Sequence, residues 1–203
     1  MFQLIIKSYK IVLLWGVVLG AVVGGISLIV PHFYSAETQI LVISRDRSGL
    51  DPFTETKLAE RVGENLSQII QTEDFFHKVT ETGQSVDRSR WGNLATGQER
   101  QRWRDDIQGE MVYGTNLLKL RVYAKEPEGA RALAAAVTET LIARGWEYVG
   151  SNVSLKVVNS PLVSRWPARP NPLVNAAGGL ALGAGLAVVW VIRYKRQSLL
   201  SLA

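Results

Sequence analysis

The chain has 203 residues, no cysteine, a formal net charge of +5 and a pI near 9.6. Basicity of that size suggests nucleic acid, but the placement of the charges excludes it. Lys7, Lys10, Arg193, Lys195 and Arg196 lie near the two ends, and the other 18 Lys/Arg between Pro31 and Pro172 balance all 18 Asp/Glu.

Residues 1–10 form a short basic N-terminal segment. IVLLWGVVLGAVVGGISLIV follows over 11–30 without a charge. At ~1.5 Å rise per residue it reaches ~30 Å, the thickness of a hydrocarbon core. The run is too long for a cleaved signal peptide, and PHFYSAET after it offers no A-x-A-type site. A first transmembrane helix is therefore expected over 11–31.

A globular domain is expected over 32–160. YSAETQILVIS (34–44) is rich in β-formers and predicts a strand. SRDRSGLDP predicts a loop in which Asp51 is an N-cap and Pro52 the first helical residue. Leu58, Val62, Leu66, Ile69 and Ile70 then make an apolar stripe at helical spacing. Thr72 is placed to cap a second helix, EDFFHKVTET, that ends at Gly83.

Residues 84–109 are polar, with Trp91 and Trp103 among many arginines, and support only a short helix over 98–107. GEMVYGTNLLKLRVYA predicts two strands around a Gly-Thr-Asn turn, with Leu118, Leu120 and Val122 on one face. Pro127 opens a helix through Val149 whose Ala130, Leu133, Ala134, Val137 and Leu141 face the core. SNVSLKVVNS (151–160) is the last strand. The expected fold class is an α/β domain of order β-α-α-β-β-α-β, a small sheet packed by helices, flanked by two transmembrane α-helices. The domain has to fold without disulfides.

SPLVSRWPARPNP follows, with Pro161, Pro167, Pro170 and Pro172. Proline fixes φ near −65° and biases its predecessor toward extended backbone, so 161–172 is expected to be a stiff strut. Pro172 can open the next helix, where its missing N–H costs nothing. Residues 173–192 are an uncharged second span, with Asn175 its only strongly polar residue, and 193–203 are a short basic tail. Arg165, Trp166 and Arg169 suit headgroup depth at one membrane face, and Arg193, Lys195 and Arg196 at the other. Short basic tails at both ends place both in the cytoplasm and the domain outside it.

Gly16, Gly20 and Gly24 repeat every four residues in the first span, as do Gly179 and Gly183 in the second. Close backbone approach drives helix pairing in lipid, so these glycines predict helix–helix packing, within one subunit or between subunits. Chemistry is not legible. GGLALGAG lacks the lysine of a phosphate loop and lies in an apolar run. His32 and His77 have no metal-ligand spacing, and the adjacent Asp105 and Asp106 diverge on a helix, a weak acid/base pair. RQRWRDD (101–106 and the preceding arginine) reads as a solvated face or a contact with a glycan or subunit. The expectation is no catalytic residue, no metal and no cofactor.

The basic start and first span, the strand behind it, LLKLRVYAKEPEGARALAAAVTETL, and above all NSPLVSRWPARPNPLVN running into a Gly-rich span resemble the Wzz-type polysaccharide co-polymerases. These are bacterial chain-length determinants of the cytoplasmic membrane, and the likeness covers nearly the whole chain. It implies a non-enzymatic, ring-like homo-oligomer that works with a polysaccharide polymerase and its lipid-linked glycan to set the length of a capsule, exopolysaccharide or O-antigen. Pro167, Pro170 and Pro172 match the family's proline motif, and Gly179 and Gly183 the glycines after it. The long protruding helices of larger members are missing. A second reading, an adaptor that activates a separate cytoplasmic tyrosine kinase, is weakened by the eleven-residue tail. The lipid bilayer is the remaining expected partner, and nucleic acid is not one.

Overall fold

The computed structural model describes residues 8–44, 52–82, 86–92, 96–150 and 153–200. The chain divides into two compact units, one made of 1–32 with 169–203 and the other of 33–168. Asp51 and Gly83, expected as helix boundaries, lie outside the described residues, as do the side chains of Lys195 and Arg196.

The first unit is a helix pair. Helix α1 runs Tyr9–Ile29 and stops because Val30 (φ −69°, ψ 142°) precedes Pro31 and is pushed into extended backbone. Its partner, residues Pro172–Leu200, is longer than the expected 173–192 and continues through the basic tail. Two stretches, Tyr9–Ile29 and Pro172–Arg193, are long and apolar enough to cross a membrane, and only 17% and 22% of their apolar windows are buried. Leu13, Leu28, Leu182 and Leu186 all point outward. A helix in a soluble core would hide such side chains.

The second unit is a mixed α/β domain. Strand β1 (Tyr34–Ser44) is followed by α2 (Pro52–Ile69), α3 (Glu73–Thr82), a 3-10 turn at Arg88–Arg90, and α4 (Thr96–Asp106). Then come β2 (Ile107–Val112), β3 (Leu117–Ala124), α5 (Pro127–Arg144), the single turn α6 (Trp146–Val149) and β4 (Val153–Val163). The helix Pro172–Leu200 is α7 in this order. The four strands form one antiparallel sheet in the order β2-β3-β1-β4.

Register decides the two faces. Ala36, Thr38 and Ile40 lie opposite Val122, Leu120 and Leu118, and Ile107 and Met111 lie opposite Val122 and Leu118. All are buried, and helices α2 and α5 pack on this side. Glu37, Lys119 and Arg121 alternate onto the other face, where Glu37 pairs with Lys119 at 2.9 Å and Arg121 at 3.0 Å. Between β2 and β3 the chain turns with Gly114 at φ 76° and Asn116 at φ 54°. Both residue types tolerate the left-handed region.

Thr72 caps α3 as expected, its Oγ1 accepting from the Phe75 amide at 3.3 Å. Four other expectations need correction. Leu58 is exposed, and the buried stripe is Ala59 and Leu66 of α2 with Ile70 just past its end, Val62 and Ile69 being half-buried beside it. The helix expected to run through Val149 breaks at Gly145, where an added Cβ would meet Leu155 Cδ1 at 3.0 Å.

The solvated-face reading of RQRWRDD holds for Arg100, Gln101, Arg102, Arg104 and Asp105, which are exposed, but not for Trp103 and Asp106, which are buried. Trp91 and Trp103 are 3% and 1% exposed and pack edge-on with Phe76 at ring separations of 4.9–5.9 Å. The Trp103 indole N–H donates to the Ile70 carbonyl at 2.9 Å. Lastly, β4 runs past Ser160 to Val163, so Pro161 lies in a strand and not in the strut.

Candidate functional site

The helix pair is built by its glycines. A Cβ on Gly20 would sit 3.0 Å from the Ala176 carbonyl oxygen, and one on Gly16 would sit 3.2 Å from that of Leu180. From the other side, a Cβ on Gly179 would meet the Leu19 oxygen at 2.8 Å and Gly20 Cα at 3.1 Å. One on Gly183 would meet the Trp15 oxygen at 2.5 Å and Gly16 Cα at 3.0 Å. Gly24 faces the Ala176 methyl, 3.1 Å from its own absent Cβ. The five glycines singled out in the sequence therefore line one seam within a single chain, and a side chain at Gly16, Gly20, Gly179 or Gly183 would press on the facing backbone.

A polar tie closes the seam at one end. Asn175 Nδ2 donates to Ser27 Oγ at 2.6 Å, and Ser27 Oγ donates to the Val23 carbonyl at 3.1 Å. The helix start behind it is capped by Asn171, whose Oδ1 accepts from the Leu173 and Val174 amides at 3.1 and 3.3 Å. Asn171 at the cap with Pro172 in the first turn is a readable signal that proline counting alone overlooked.

The proline segment is not a free strut over its whole length. Strand β4 carries two extra residues opposite β1, one between the Ile40↔Val157 and Gln39↔Asn159 pairs and one between Gln39↔Asn159 and Glu37↔Leu162. Ser160 and Pro161 fall in the second irregularity, and Thr38 Oγ1 donates to the Asn159 carbonyl there at 2.6 Å. Proline has no ladder donor, so an edge strand at a bulge is where it fits. Beyond the strand, the Ser164 amide donates to the Ser35 carbonyl at 2.8 Å and the Ala168 amide to that of Phe33 at 2.7 Å. Pro167 thus belongs to the α/β unit. Pro170, joined to Arg169 by a cis peptide bond, and Pro172 belong to the helical unit. Trp166 is 82% exposed, Arg165 and Arg193 are exposed, and Arg169 is half-buried.

No protein-family model matches the chain, and no curated protein matches it.

The α/β unit holds a buried charge constellation that sequence reasoning missed. Arg90 Nε and Nη2 donate to the Asp106 carboxylate, both at 2.5 Å, and the Trp91 indole N–H donates to the same carboxylate at 3.2 Å. Arg90 also stacks 4.5 Å over the Phe33 ring. Asp106 is 2% exposed, while its neighbour Asp105 is exposed. The fork of Arg90 meets a planar carboxylate in bidentate fashion, which makes this a structural clamp between the 3-10 turn, α4 and the start of the domain. The one available sequence signal was an Asp ending a helix just before an apolar strand. Among the described residues, no three His, Cys, Asp or Glu side chains gather to hold a metal ion.

Proposed function

We propose that this chain is a membrane-anchored, non-enzymatic scaffold of the Wzz type, which controls the chain length of a bacterial surface polysaccharide as a homo-oligomer. One observation carries the reading: the domain begins and ends on neighbouring strands. Ala36 lies opposite Val163, and the Ser164 amide bonds back to Ser35, so the chain enters and leaves the α/β unit at one place. Each of those points continues into a helix long and apolar enough to cross a bilayer. A domain so connected has both anchors in one membrane, with the basic tails on the cytoplasmic side. The resemblance singles out Pro167, Pro170 and Pro172 with Gly179 and Gly183, and both of those glycines sit against the backbone of α1. In this reading the oligomer stands beside the polymerase and its lipid-linked glycan.

The experiment is genetic. Deleting the gene shifts the modal length of a surface polysaccharide without abolishing its synthesis, as read on a gel of the extracted polymer. An unchanged length distribution defeats the proposal.

A further inference from the structure

The α/β unit contains a cavity of about 310 Å³ between the Trp91 turn, α4, the end of β3 and the start of α5. That is the lower end of the size range of small-molecule sites, ~300–1,000 Å³. Val86 and Leu133 give it apolar walls, and Trp91 and Tyr123 contribute aromatic ones. Arg102 and Lys125 bring donors to it, and Asp87 and Glu126 bring acceptors. Arg90 also borders it, but its charge is matched by Asp106. The lining is thus balanced in charge, with two cations against two carboxylates.

That balance discriminates between ligand classes. A phosphate or nucleotide calls for an excess of cations or a glycine-rich cradle. A metal ion calls for clustered carboxylates or imidazoles, which the described residues do not provide. An aliphatic ligand would make no use of Arg102, Lys125 and Glu126, which are exposed at the rim. A sugar ring satisfies all the walls at once: its hydroxyls both donate and accept, and its C–H bonds pack on aromatic and aliphatic side chains.

The geometry points to this cavity as a binding site for one uncharged hexose or N-acetylhexosamine unit. The assignment deepens the polysaccharide reading and rests on it for the source of the sugar. Arg102 and Lys125 are the discriminating donors, both exposed enough to be replaced without disturbing the core.

The test is saturation-transfer NMR on the full chain in lipid nanodiscs, free of glycoside detergents that would occupy the site. The probes are methyl α-glucopyranoside and methyl N-acetyl-β-glucosaminide, with inorganic phosphate as competitor. Ring protons of at least one glycoside should receive saturation. The paired substitution Arg102→Ala with Lys125→Ala should weaken binding by more than about tenfold, since one charged hydrogen bond alone is worth about that much. Lys156→Ala, on β4, should change nothing. Silence from both glycosides, equal binding by the paired variant, or displacement by phosphate overturns the assignment. A silent cavity with a shifted polymer length defeats the cavity alone. Glycoside binding with an unshifted length in the deletion strain keeps the cavity and defeats the length-control reading.

Discussion

At the residue scale, Asp106 and Glu60 show what single carboxylates do in this domain. Asp106 is buried against Arg90 and Trp91, so removing it strands a cation and an indole N–H. Asp106→Ala is expected to destabilise the chain by about 3 kcal/mol, and adding Arg90→Met should recover part of the loss. Urea unfolding followed by Trp fluorescence measures both. Glu60 accepts from the Gly114 amide at 2.6 Å and from Lys57 Nζ at 2.9 Å. The amide bond first, and the Lys57 partner second, hold its carboxyl below the usual Glu range. Its folded pKa is therefore lower than its unfolded one. The stability it contributes is complete above the unfolded value of ~4.3 and is lost as pH falls through the folded value. Thermal melts should then show Glu60→Gln losing less stability than the parent chain on acidification below about pH 4. The Asp106–Arg90 pair and the Glu60–Gly114 bond were not legible in the sequence, because the partners sit 16 and 54 residues away. Pairing at such separation is set by the tertiary fold and leaves no local pattern.

At the scale of elements, periodicity and turn chemistry were readable and long-range packing was not. The apolar runs, the 34–44 strand, the Pro52 and Pro127 helix starts and the Gly-Thr-Asn turn all follow from local rules, and the structure has each of them. The tryptophan-rich stretch misled because its polar neighbours outnumber its two buried indoles. The end of β4 misled because proline usually signals a strand's end and here occupies a bulge. The glycine seam makes a sharp prediction. Gly20→Leu should separate the helix pair and lower its melting temperature in detergent, since its Cβ position already touches backbone. Gly25→Leu is the matched control, because nothing lies within 4 Å of that position. Equal behaviour of the two variants would defeat the seam. The Asn175–Ser27 bond should contribute about 0.6–1.7 kcal/mol in a double-mutant cycle with Asn175→Ala and Ser27→Ala.

For the whole molecule, the decisive question is sidedness. The chain has no cysteine, so single-cysteine variants report cleanly. A membrane-impermeant maleimide should label Lys156→Cys in intact cells and Ser198→Cys only after permeabilisation. The reverse pattern would place the α/β domain in the cytoplasm and end the polysaccharide proposal. Homo-oligomerisation is checked by the mass of the complex extracted in detergent.

The interrupted border at β4 has one more effect. Sheets with a smooth, fully bonded outer margin invite a stranger's backbone to zip alongside them. Here that margin lacks an amide at Pro161 and is thrown out of step twice in a few residues. In the proposed homo-oligomer, neighbouring copies would therefore find this edge a poor template for fusing their sheets side by side. A contact made on this edge would rest on side-chain surfaces, which separate far more readily than a shared backbone ladder.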